Sequence, residues 1–106
     1  MTPHTRPEVR RDEQRRRYVI SEDGTDAGFA QYVERAGRVI LVHTEIADAF
    51  EGRGLGGQLA RAALDDIRAR GLAVVPLCPF IASWIERHPE YEDLVDHEAL
   101  DALNRR

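Results

Sequence analysis

Two periods divide this chain. Between residues 18 and 46, apolar and polar positions tend to alternate, the repeat of a half-buried strand. Residues 18–21 begin a first strand, and SEDGTD follows as a turn in which Asp23-Gly24 is a good hairpin signal. Residues 27–34 make a second strand, Ala36-Gly37 a second turn, and residues 38–46 a third strand. Its VILV run is apolar on both faces, which predicts a central position in the sheet. Strands joined by tight turns in this way form an antiparallel meander.

The period then changes. Leu55, Leu59, Ala62, Ala63 and Ile67 recur at helical spacing, with Arg61, Asp65, Arg68 and Arg70 mostly on other faces. Gly71 stands where a helix C-terminal glycine belongs. Residues 72–77 are short, apolar and β-branched, a buried strand, and with the helix as crossover it lies parallel to the strand ending at Ile46. Cys78-Pro79 opens a second helix, since proline suits the first helical position. Phe80, Ile81, Trp84 and Ile85 form its apolar stripe, assigned to core packing, and it ends before Pro89. Residues 96–104 make a short terminal helix. The fold class is therefore α/β with a mixed sheet, an antiparallel meander plus a helical crossover to a parallel strand.

A length of 106 residues is one domain. Residues 1–15 read as a polar arm that adds a short edge strand around Val9, and residues 16–106 as the domain proper. With 42% hydrophobic and 32% charged residues the composition is that of an ordinary globular protein. No apolar run approaches the ~20 residues of a bilayer span, and MTPHTRPEVRRDEQRRR has no apolar signal segment. The expectation is a cytoplasmic protein with no membrane partner. A net charge of −4 argues against nucleic acid as a partner, although all 15 basic residues are arginine, which suits phosphate contacts. The single cysteine excludes an internal disulfide and a cysteine metal cage, so no metal is expected.

The chemistry concentrates in HTEIADAFEGRGLGGQL, residues 43–59. A strand end, glycines at 52, 54, 56 and 57, and a helix start together make a phosphate cradle, because the first-turn N–H groups lack internal partners and the helix dipole is positive there. A turn needing glycine only for tight packing is the bland alternative. The run lacks the Gly-Lys-Ser/Thr ending of a nucleotide P-loop, and no acidic strand end follows about 20 residues on as in a dinucleotide fold.

Glu51-Gly52-Arg53-Gly54-Leu55-Gly56 resembles the (Arg/Gln)-x-x-Gly-x-(Gly/Ala) signature of the GCN5-related N-acetyltransferases. The order of strands and helices around it, with PLCPF and RHPEY, is similar to the small, single-domain branch of that family. Position 51 departs from the pattern, being Glu where the family prefers Arg or Gln. The phosphate role therefore goes to Arg53 and to the backbone N–H groups of residues 53 to 58, that is Gly54, Leu55, Gly56, Gly57 and Gln58. The chain also lacks the closing strands that shape the substrate pocket in larger members; monomer and homodimer both stay open.

The resemblance implies acetyl-CoA as cofactor and an amine, on a small molecule or a peptide, as acceptor. It implies that the strands ending at Ile46 and at Leu77 splay apart, with the pantetheine arm pairing against main-chain groups around Glu45, Ile46 and Ala47. Cys78, ahead of a helix N-terminus that favours the thiolate, is a candidate acceptor or acylated intermediate, against a role as a small buried hydrophobe. His43 and Glu45, on one strand face at the cleft mouth, are candidate general bases. Tyr91 is a candidate general acid toward the departing thiolate, or a packing residue. Arg87 and His88 end the second helix, placed either to reach the nucleotide phosphate or to complement the helix C-terminus. The resulting reading is acetyl-CoA-dependent N-acyl transfer, with direct transfer as the main route. The alternatives are a non-catalytic coenzyme A-binding module and an interaction protein with a purely structural glycine loop.

Overall fold

The computed structural model describes residues 7–105; the first six residues of the expected polar arm lie outside them. Strands β1 (Glu8–Asp12), β2 (Arg17–Glu22), β3 (Thr25–Arg35), β4 (Arg38–Ile46) and β5 (Ala73–Pro76) form one sheet in the order β1-β2-β3-β4-β5. The first four are antiparallel, and β5 runs parallel to β4 after helix α1 (Leu55–Ala69). Helix α2 (Pro79–Arg87), a 3-10 turn at Pro89–Leu94 and helix α3 (His97–Asn104) complete the chain. The mixed α/β class and the crossover are as the sequence pattern predicts, and β1 is the edge strand expected around Val9.

Helix α1 buries Leu55, Leu59, Ala60, Ala63, Leu64 and Ile67. That stripe packs on Tyr18, Ile20, Ala30, Tyr32, Val39 and Leu41 from the inner face of the sheet. Burying this much apolar side chain is the main source of stability for a small α/β layer pair. The helix stops where Gly71 adopts φ 71°, and the Gly71 and Leu72 amides close back on the carbonyls of Arg68 and Ile67. That stop releases the chain directly into β5.

Two packing expectations are corrected. The VILV run is buried on one face only: Val39 and Leu41 are fully buried, whereas Val42 is exposed. Strand β4 is second from the edge, and only part of its outer face is covered. Phe80 is 39% exposed and so is not a core residue, while Ile81, Trp84 and Ile85 are buried as expected.

A bulge shapes the far half of β4. Gln31 pairs with His43 but Tyr32 pairs with Leu41, leaving Val42 without a partner. One extra residue reverses the alternation beyond it. Thr44 and Ile46 thereby take the inner face that Leu41 occupied, and His43 and Glu45 take the outer one.

Candidate functional site

The β4–β5 ladder runs from Arg38↔Ala73 to Leu41↔Pro76 and then stops. The Cys78 amide makes one further bond, to the Leu41 carbonyl at 2.9 Å, and the chain turns away into α2. Strand β4 continues through residues 42–46 with no strand on that side among the described residues. A gap therefore opens between the two strands. Ala47 donates to the Ala27 carbonyl at 2.8 Å, so by antiparallel alternation Glu45 also directs its main-chain groups at β3, while Thr44 and Ile46 direct theirs into the gap.

This revises the set of main-chain groups expected there. Ala47 is engaged on both sides, since its carbonyl accepts from Phe50 at 2.8 Å. The main-chain groups of Ile46 point into the gap, and those of Thr44 join them. The gap edge also depends on Gly28. A Cβ at that position would lie 2.5 Å from both the Glu45 carbonyl oxygen and the Ile46 Cδ1, so only glycine lets β3 lie flat against this end of β4.

From Ile46 the chain passes through a 3-10 turn at Asp48–Phe50 to Gly54, the N-cap of α1, at φ 74° with no heavy atom within 4 Å of where a Cβ would sit. This left-handed angle aims the loop amides and the first-turn amides the same way. Among the described residues, no backbone N–H of residues 53 to 57 donates to a backbone carbonyl. The Gln58 amide is engaged with the Gly54 carbonyl at 3.3 Å, so Gln58 has only its side chain to offer. Leu55 is buried at 2% exposure and contributes its amide alone. Gly56 and Gly57 have a packing reason as well: a Cβ would stand 2.9 Å from the Phe80 ring and 3.3 Å from Trp84 Nε1. Open space, unpaired donors and a positive helix end fit a diphosphate.

Arg53 borders this cradle but is tethered. Its guanidinium donates to Glu22 Oε1 at 2.6 Å and lies over the Phe50 ring at 5.5 Å. Glu22 sits at the end of β2, a partner that sequence distance hides.

At the foot of the gap the Cys78 thiol donates to Thr44 Oγ1 at 3.3 Å, and Cys78 is buried. Cys78 is the N-cap of α2, as expected, with no side-chain cap bond. His43 Nε2 and Glu45 Oε1 are 3.1 Å apart on the outer face, both exposed. Tyr91 is buried beside Trp84, donates to Asp65 Oδ1 at 2.7 Å and accepts from Arg61 at 3.1 Å. Burial, and then the Asp65 carboxylate, push its phenol above the ordinary range. The structure thus joins His43 to Glu45 and Cys78 to Thr44, but links neither pair to the other or to Tyr91. Arg87 donates to Ser83 Oγ at 2.7 Å, one turn back on its own helix.

A groove of about 450 Å³ runs along α1 from the cradle toward α2, lined among others by Gly54, Gly57, Gln58, Arg61, Trp84 and His88. In sequence Arg61 reads only as a helix residue off the apolar stripe. Its place in the groove depends on where α2 docks.

Residues 17–94 match the family described as GCN5-related N-acetyl-transferase. The chain is 34% identical over 83 residues to Protein NATD1 of Mus musculus, covering 76% of each. It is 32% identical over 91 residues to Protein NATD1 of Xenopus tropicalis, covering 84% of each. Its fold is similar to the solution NMR structure of a GCN5-like protein from Staphylococcus aureus, with a TM-score of 0.64 and 21% identity over 83% of this chain and 86% of that one.

Proposed function

The chain belongs to the GCN5-related N-acetyltransferase family, and from that premise we propose that it transfers an acetyl group from acetyl-CoA to an amine on a small molecule or peptide. One observation carries this reading: a β4 edge unpaired among the described residues leads, through one 3-10 turn and the glycine-rich loop, into a helix start whose amides at residues 53 to 57 are free of backbone partners. An extended chain of amides ending in a diphosphate matches both parts, and pantetheine diphosphate has that form. Thr44 and Ile46 hold its amides from the gap edge. The α1 amides and Arg53 hold the diphosphate.

Acetyl-CoA, when bound, supplies the acyl group as an activated thioester. The chain's own residues position and deprotonate the acceptor. From the outer face His43 takes the ammonium proton, and Glu45 at 3.1 Å orients the ring. Main-chain donors at the β4 edge stabilise the carbonyl oxygen as negative charge develops on it. Cys78, bonded to Thr44, lines the foot of the gap, and transfer is direct.

The engagement of Tyr91 with Asp65 and Arg61 favours a second reading, a coenzyme A-binding module without turnover. Titration with acetyl-CoA, followed by thiol release against an amine panel, tests both. Saturable binding with amine-dependent thiol release supports the transferase; binding without release leaves the module; no binding overturns both.

A further inference from the structure

We infer that the amine acceptor is an α-amino acid, held in a small pocket on the outer face of the sheet, with Arg17 as the residue that selects its carboxylate. This rests on the transfer reading above and adds to it the class of substrate.

The pocket is built on one cross-strand row. Arg10, Val19, Phe29 and Glu45 are successive partners across β1, β2, β3 and β4. Alternation puts this row on the face away from α1, since Tyr18, Ile20 and Ala30 beside it pack in the core. Val19 is 1% exposed although it lies outside that core, and it forms an apolar floor with Phe29. Arg17, Asp26 and Glu45 supply the polar walls of a cavity of about 140 Å³. An apolar cavity of about 150 Å³ takes a molecule the size of benzene, so about six heavy atoms fit here. The ammonium, Cα and carboxylate of an amino acid make five, with the side chain leaving toward solvent.

The two sides of the pocket differ in charge. On the β2 side Arg17 lies over the Phe29 ring at 4.9 Å and forms no ion pair among the described residues; its Nε is buried without a hydrogen-bond partner. A buried donor left in that state is costly unless a ligand or solvent completes it. Asp26 does not cancel this charge, because both its oxygens accept from Arg10, at 3.1 and 3.2 Å. Arg10 first, and then Arg17 and Arg15, hold the Asp26 carboxyl below the usual range, so three guanidiniums act on one carboxylate. On the β4 side stands the Glu45 carboxylate, 3.1 Å from His43. Opposite charges on two sides of a small apolar floor complement a zwitterion: carboxylate on Arg17, ammonium at Glu45. Strand β4 carries Glu45 on this face and borders the gap with Thr44 and Ile46, so the pocket and the gap are one strand apart, about 5 Å. As the C–N bond forms and the thioester C–S bond breaks, the amine proton passes to His43 and the thiolate leaves with the C–S electron pair.

The test measures thiol release from acetyl-CoA by the full chain with the common α-amino acids, each beside its own amide, which keeps the amine and loses the carboxylate. For the best acceptor, kcat/KM is expected to be about tenfold or more higher with the acid than with the amide. Arg17→Gln should bring the two within about threefold, chiefly through KM for the acid, with thermal melting to show that the variant folds. Equal use of acid and amide by the unaltered protein would overturn the pocket while leaving the transfer reading intact. Release with none of the amines would overturn the transfer reading and the acceptor assignment with it. A readout that needs neither variant nor turnover is a resonance titration of the protein loaded with coenzyme A. L-alanine is expected to shift the backbone amide signals of Gly28 and Phe29 saturably, and L-alaninamide to move them far less. Unmoved signals, or equal shifts with both, would count against the pocket.

Discussion

The thiol of Cys78 meets the hydroxyl of Thr44 at 3.3 Å, just beyond the point where β4 and β5 part. Neither residue is near the other in sequence. Their contact bridges the foot of the gap and gives the buried thiol a polar partner.

Direct transfer predicts that Cys78→Ala keeps amine-dependent thiol release within a few-fold, with a loss of about 1 kcal/mol of stability from the truncated packing. Steady-state rates and thermal melting check this together. A folded variant with no turnover would instead make Cys78 an acyl carrier.

Arg53→Gln removes the only side-chain cation assigned to the diphosphate. A charge-assisted contact is worth ~1.5–3 kcal/mol, so the dissociation constant for coenzyme A should rise about tenfold or more. Glu22→Gln removes the carboxylate that holds Arg53 at 2.6 Å, and affinity should stay equal or increase. Calorimetry on the two variants separates a cradle contact from a merely structural ion pair.

Gly28→Ala should destabilise the fold by about 2 kcal/mol or more, because the added methyl meets backbone, the Glu45 carbonyl, at 2.5 Å. Backbone cannot rotate away as a side chain can. Denaturant melts measure the loss. Coenzyme A affinity should fall with it, since the displaced segment carries Ile46.

All three tyrosines, Tyr18, Tyr32 and Tyr91, hold their protons above the ordinary value of 10.0, with burial the largest cause in each. Tyr18 and Tyr91 also donate at 2.7 Å to Asp66 and Asp65. A folded pKa above the unfolded one gives stability that is complete below pH 10 and lost as pH rises beyond it. Ultraviolet titration should therefore show little tyrosinate near pH 10, then a steep rise coincident with unfolding. Stepwise ionisation of folded protein would contradict this.

Much of the site was legible because it is local. Gly54 opening a helix, Gly71 closing it and Pro79 starting the next are decisions of a few neighbouring residues, and each lies where the pattern put it. His43 and Glu45 share a face because two-residue spacing holds on either side of a bulge. That they face away from the buried Leu41 was not legible, since the bulge at Val42 exists only in the pairing with β3. Gly56 and Gly57 read as cradle glycines, yet their neighbours are Phe80 and Trp84 on another helix.

The sequence by itself determined the element order, the mixed sheet and the position of the glycine-rich turn, because periodicity and backbone preference act over a few residues. Tertiary structure alone decided which amides are free, that Glu22 tethers Arg53, and that Arg61 and Trp84 share a groove. Each of those depends on a contact between segments far apart in the chain, and such contacts form only when burial of the shared core brings the segments together.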